Sequence, residues 1–291
     1  MEKILITGAT GHYGKTTIDF LLSKGVSPNS IYALVRSEEK GAELKVIGIN
    51  IRIGEYDNYN SLVEAFHGID KLLLVSGSDV VNRGIQHINA VNAAKEVGVK
   101  HILYTSFERK NETESSPIAF LAKSHIDTDN AIKASGMNYT IFRNNLYLDV
   151  LPMFLGEQVL TTGIYFPAGD AQAAFVSRND LAEATANVLM NSGHESKEYT
   201  MNNIENYTFQ NIAEVLSSIS NRTVQYTSPD KQQFVDMLTN IGVPEHYIGM
   251  SAGFAEAIKQ GEFEASTTDL EKLLGRKPIS AKEFLSSIYS I

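Results

Sequence analysis

The chain reads as an α/β protein, a doubly wound parallel sheet joined to a smaller, mainly helical C-terminal lobe. Three features point there. Short β-rich apolar runs alternate with amphipathic helical segments through the first half. A glycine-rich loop links the first apolar run to the first helical segment. Beyond residue 208 the alternation gives way to helical patterning alone.

Strands are expected at residues 3–7, 30–35, 50–53, 71–76, 101–106 and 138–142. Helical segments at 15–24, 61–66, 84–97 and 122–135 lie between them, with apolar residues at helical spacing and a glycine near each end. Parallel strands require such crossovers, because a tight turn cannot join them. After Asn144 the rhythm breaks. Residues 173–176 and 178–191 then read as one more strand and helix of the same sheet. Helices at 209–219, 231–241, 245–259 and 280–289 make up the lobe. The polar run 108–117 follows a strand directly, so a mobile loop is expected there, at the edge that borders ligands in this architecture.

Composition narrows the function. With 291 residues, 43% hydrophobic and 20% charged, the chain can bury a pocket. A net charge of -9 without a Lys/Arg cluster argues against nucleic acid or an anionic membrane as main partner. The absence of cysteine excludes disulfides, thiolate metal sites and a Cys nucleophile. The start Met1-Glu2-Lys3 lacks a signal-peptide apolar region, and no apolar stretch reaches membrane-spanning length. A cytoplasmic setting is therefore expected, with Asn111, Asn138, Asn206 and Asn221 unglycosylated despite their Asn-x-Thr triplets. The seven histidines are scattered, so no metal is expected.

The first strand runs into Gly8-Ala9-Thr10-Gly11-His12-Tyr13-Gly14 and then a helix. Gly8 suits the tight turn, Gly11 lets backbone approach a pyrophosphate, and Gly14 lets the helix lie close on the strand. Unpaired helix N–H groups would hold the phosphates. This is the Rossmann dinucleotide fingerprint. The same stretch also resembles a relaxed phosphate-loop NTPase motif, with Lys15 and Thr16 at its end. Ala9 stands where the strict motif has Gly, and the apolar strand 72–75 ends in Ser76-Gly77 rather than a metal-binding Asp. The dinucleotide reading is therefore favoured over the NTPase and over a ligand-free turn.

The second strand ends in Arg36, where an NAD site would place Asp or Glu; a guanidinium suits the 2′-phosphate of NADP(H). His12 could add to that grip. Tyr56 and Asp57 are expected near the adenine, and Ser76, Gly77 and Ser78 near the nicotinamide, with Thr105, Ser106 and Phe107 completing the cofactor contacts. The organisation that follows is a cofactor domain at 1–150, rejoined by about 170–205, a connector at 151–169 and a substrate-side lobe at 206–291.

The glycine loop, Leu34-Val35-Arg36, Tyr104-Thr105-Ser106 and Tyr139-Thr140-Ile141-Phe142-Arg143-Asn144 together resemble the NmrA-like branch of atypical short-chain dehydrogenases. The likeness covers nearly the whole chain. It is greatest to the bacterial quinone oxidoreductase type 2 and triphenylmethane reductase group, which also carries a segment like Gly242-Val243-Pro244-Glu245. That group implies flavin-free hydride transfer from NADPH. One departure from ordinary short-chain dehydrogenases is plain, since none of the thirteen tyrosines has Lys four residues on.

The resemblance also implies site residues. His125 falls where related isoflavone-reductase-like enzymes place a Lys, with Lys123 just before it as a cofactor contact. His125 would donate a proton to a reduced quinone oxygen or hydrogen-bond the cofactor or substrate. The family's Asn beside the nicotinamide corresponds to Asn144. Asn145 and Tyr147 would meet substrate, with Phe107, Phe154 and Phe166 as a flat apolar wall. The expected activity is NADPH-dependent reduction of a quinone-like or other conjugated aromatic acceptor. An NADP(H)-sensing regulator with a protein partner stays open, as does the oligomeric state, a homodimer included.

Overall fold

The computed structural model describes residues 2–289. Its strands are β1 (Ile4–Ile6), β2 (Ile31–Val35), β3 (Asn50–Ile53), β4 (Lys71–Leu74), β5 (His101–Phe107), β6 (Asn138–Asn144), β7 (Ile164–Tyr165), β8 (Lys197–Met201) and β9 (Tyr226–Thr227). Seven form one wholly parallel sheet in the order β3-β2-β1-β4-β5-β6-β8, and β7 pairs with β9 apart from it. The crossovers are α1 (His12–Ser23), α2 (Ala42–Val46), α3 (Tyr59–Phe66), α4 (Arg83–Glu96) and α5 (Ala119–Ala134). Then follow α6 (Leu151–Leu155), α7 (Val159–Thr162), α8 (Arg178–Met190), α9 (Phe209–Ser220), α10 (Lys231–Asn240), α11 (Glu245–Lys259), α12 (Leu270–Leu274) and α13 (Ala281–Tyr289). Strand order reverses between β1 and β4, so a crevice opens beyond their carboxyl ends.

Strand side chains alternate between two buried faces, which is why the strands read as unbroken apolar runs. Ile4, Ile6, Leu73 and Leu103 pack with Leu21 and Leu181 on one face. Leu5, Leu72, Ile102 and Tyr104 pack with Phe66, Val91 and Ile132 on the other. A third core gathers Phe154, Phe166, Phe209, Phe254 and Phe263. Each such burial stabilises by about 1.5–3 kcal/mol.

Two expectations are corrected. Residues 173–176 are not a sheet strand: Ala173 and Val176 make only isolated bridges, to Tyr207 and Tyr147. Their apolar character reflects core burial, with Ala173 and Phe175 in the third core and Val176 in the sheet core. The seventh strand is instead β8, Lys-Glu-Tyr-Thr-Met, whose charged start is exposed at the sheet edge, as edge strands commonly are. The run 108–117 also packs, contrary to expectation. Arg109 is buried and ion-paired to Asp129 at 2.8 Å, and Glu262 accepts from the main-chain N–H groups of Lys110 and Asn111 at 2.8 and 3.0 Å.

Candidate active site

At the end of β1 the chain turns at Gly8, whose φ is +59°. Gly11 N–H donates to the Gly8 carbonyl at 2.9 Å, closing the turn just before α1. A Cβ on Gly14 would stand 2.4 Å from that carbonyl oxygen, so glycine alone lets α1 begin hard against the loop. The helix N-terminus, with no side-chain cap, opens on a cleft of about 670 Å³. Gly8, Thr10, Gly11, His12, Tyr13 and Gly14 line this end of it. Uncapped N–H groups and the helix dipole suit an anion there.

The other strand ends complete the cleft. Arg36 lies exposed at the end of β2, and among the described residues no carboxylate pairs with it. Tyr56, Asp57, Ser76, Gly77, Ser78 and Thr105 also line the walls. The Tyr56 hydroxyl lies 2.6 Å from Thr7 Oγ1 and 2.9 Å from the Val75 carbonyl, and burial raises its pKa. Sequence reasoning missed Arg178, which opens α8 on the cleft wall, pairs with Asp149 at 3.1 Å and lies over the Tyr147 ring. Asp149 Oδ1 is also 3.5 Å from His12 Nδ1, and His12 Nε2 is 2.9 Å from Asn179 Oδ1. Cleft size, the loop that a Cβ would block and the carboxylate-free Arg36 all fit NADP(H).

A second cavity, about 240 Å³, shares Ser76, Gly77, Thr105 and Tyr147 with the cleft. Its walls are largely apolar, with Phe107, Leu121, Met153, Phe154 and Phe254 among them. Beyond the shared residues, four polar ones interrupt that wall, Ser106, Asn145, His125 and Arg83.

His125 is held by a hydrogen-bond chain that reaches back to the cleft. Gly77 N–H donates to His87 Nε2 at 3.1 Å, so that nitrogen is bare and the proton sits on Nδ1. His87 Nδ1 faces Thr128 Oγ1 at 3.1 Å and the Tyr104 oxygen at 3.3 Å. It therefore cannot accept from Tyr104, whose hydroxyl donates instead to His125 Nδ1 at 2.8 Å. That assigns the His125 proton to Nε2. Burial, then the charges of Arg83, His87 and Arg109, hold its pKa well below the usual histidine range. His125 is thus a neutral Nε2–H donor beside the pocket, not an imidazolium acid.

The remaining expected residues divide. Asn145 reaches the second cavity and donates to the Phe263 carbonyl at 3.2 Å. Asn144 is fully buried behind Tyr147, donating to its hydroxyl at 3.4 Å, and lines neither cavity. Lys123 is an exposed helix residue paired with Asp127 at 3.1 Å, outside both cavities. Phe166 is buried in the third core, and Phe254 takes the wall position expected of it. The missed residues Arg83 and His87 lie four apart on the buried face of α4, and that polar stripe on a core-packed helix was the available signal.

The model of the NmrA-like family matches residues 1–285. The chain belongs to that family. This NmrA-like chain is 35% identical over 290 residues to quinone oxidoreductase 2 of Escherichia coli, covering 99% of each. Its fold matches the Escherichia coli NADPH-dependent quinone oxidoreductase complexed with NADPH, with a TM-score of 0.92, 33% identity and coverage of 99% and 100%. It likewise matches the Citrobacter sp. triphenylmethane reductase complexed with NADP(H), with a TM-score of 0.89, 35% identity and coverage of 98% and 99%. The NTPase alternative falls with this assignment. Lys15 pairs with Glu43 at 3.5 Å and is not among the cleft-lining residues.

Proposed function

We propose that this NmrA-like protein is an NADPH-dependent reductase of quinone-like or related conjugated aromatic acceptors. The observation that carries the reading is the wall shared by the two cavities, Ser76, Gly77, Thr105 and Tyr147, which sets a dinucleotide-sized cleft against a largely apolar pocket. When bound, NADPH supplies a hydride from its dihydronicotinamide. The loop amides and Arg36 hold its phosphates, Phe107 and Phe154 offer apolar contact to an aromatic acceptor, and His125 Nε2–H donates to the acceptor oxygen. Most of the acceleration comes from positioning two reactants out of water. The cofactor side is residues 1–150 with about 170–205, and the lobe at 206–291 supplies Phe254 to the acceptor side.

Loss of NADPH absorbance with a panel of quinones tests the reading, with cofactor affinities measured in parallel. Turnover with at least one quinone is expected, with NADPH preferred over NADH. Arg36→Ala should weaken NADPH about tenfold to a hundredfold and leave NADH nearly unchanged, as for loss of charge-assisted bonds to a phosphate. Tight NADPH binding without turnover would replace the reductase by the sensing regulator.

A further inference from the structure

Arg83 is the first residue of the fourteen-residue helix α4 and lines the acceptor pocket at 5% exposure. Its Nε donates to Ser124 Oγ at 2.9 Å, Nη2 to the Leu121 carbonyl at 3.1 Å and Nη1 to the Gly77 carbonyl at 3.4 Å. All three acceptors are neutral. Among the described residues no carboxylate lies within ion-pair distance, whereas the other deeply buried arginine, Arg109, holds Asp129 at 2.8 Å. Asp79 acts on Arg83 only through space, and its carboxylate accepts from the main chain and side chain of Asn82.

Three costs therefore coincide at one residue. The charge is buried, no carboxylate pairs with it directly, and it sits at the positive end of a helix dipole. The neutral bonds fix where the guanidinium lies without compensating its charge. What remains open to it is the pocket, which Arg83 and His125 both line.

Resting on the reductase reading, we propose that Arg83 is the charge-selecting residue of the acceptor pocket, favouring acceptors that carry, or acquire on reduction, a negatively charged oxygen and disfavouring cationic ones. A neutral quinone that takes a hydride from NADPH gains two electrons and one hydrogen and becomes a monoanion, its oxygen holding the new electron pair. Arg83 and the His125 N–H stabilise that oxygen until a proton from water completes the hydroquinone. A cationic triarylmethane dye instead enters as a like charge and leaves neutral, so the same arginine opposes its binding and gains nothing in its transition state.

The experiment uses the full-length protein loaded with NADP+, titrated by calorimetry with three probes: naphthoquinone sulfonate, neutral naphthoquinone and the cation malachite green. The wild type should bind the sulfonate at least about tenfold more tightly than neutral naphthoquinone. Arg83→Gln should erase that ratio and improve malachite green binding, while Arg83→Lys keeps most of it. In turnover, Arg83→Gln should lower kcat/KM for neutral naphthoquinone by about tenfold or more, with NADP+ affinity unchanged as the check on folding. Equal binding of sulfonate and neutral quinone by the wild type would overturn the proposal, as would a uniform loss across all three probes. If the Gln variant does not fold, the wild-type ratio and the Lys variant decide. Absence of turnover with every acceptor removes the reductase reading, while the binding ratios still decide the charge selectivity.

Discussion

The two cavities meet at Tyr147 and the ends of β4 and β5 but are built from different materials. The cleft is a main-chain structure, in which a turn at Gly8, an uncapped helix start and strand ends fix what can bind. The pocket is a side-chain structure, drawn from α4, α5, the segment after β6 and α11. A backbone-built site fails when a Cβ intrudes, and a side-chain-built site fails when a partner or a proton is changed.

The most direct way to break this contrast is Gly14→Val. Its Cβ would meet the Gly8 carbonyl oxygen at 2.4 Å and carbon at 2.8 Å, and neither can move without opening the loop. NADPH affinity should fall at least about a hundredfold, in keeping with a backbone-scale overpacking clash. Affinity within threefold of wild type, by fluorescence titration, would show that the loop does not set the cleft.

The pocket side is tested by acid. Burial, reinforced by Arg83, lowers His87 to about 3, and His125 is held well below the normal range. In the unfolded chain both titrate near 6.5. Between the two pKa values the unfolded state binds protons that the folded state refuses, so stability is lost as pH falls below about 6.5. The slope approaches about 1.4 kcal/mol per pH unit for each histidine, or about 2.5 kcal/mol for the pair between pH 7 and 5.5. His101, lowered by burial, acts in the same sense. Denaturant midpoints should show this loss, and His87→Gln should remove about half of it. Because His125 stays neutral, kcat should also lack a histidine titration between about pH 6 and 8. A rate inflection near 6.5 would restore His125 as the proton donor.

The same contrast explains what was legible in the sequence. Contiguous elements declared themselves: the loop at 8–14 sits between a strand and a helix, and Arg36 closes the next strand. The residues at those strand ends face one cleft because parallel strands bring their carboxyl ends to one edge. The edge strand β8 stayed hidden because half-exposed charged residues do not read as apolar periodicity. Arg109 looked solvated because its counter-charge, Asp129, lies twenty residues away on α5. The pocket was the least legible part. His125 was found by resemblance, but Arg83 and His87 become meaningful only when α4 is packed against α5.

The smallest expected effect bears on the hydrogen-bond chain. Tyr104→Phe removes the donor to His125 Nδ1 at 2.8 Å while the ring still fills its buried site. Without that donor the imidazole is free to place its proton on Nδ1, so a smaller fraction offers Nε2–H to the acceptor. A net hydrogen bond of this kind corresponds to about a threefold to tenfold fall in kcat. NADPH affinity should not change, because Tyr104 acts on the pocket through His125 and is not among the cleft-lining residues. A parallel loss of NADPH affinity would instead make Tyr104 a strut common to both cavities, carried through His87 to the Gly77 N–H, and the division between them would be less sharp than their construction implies.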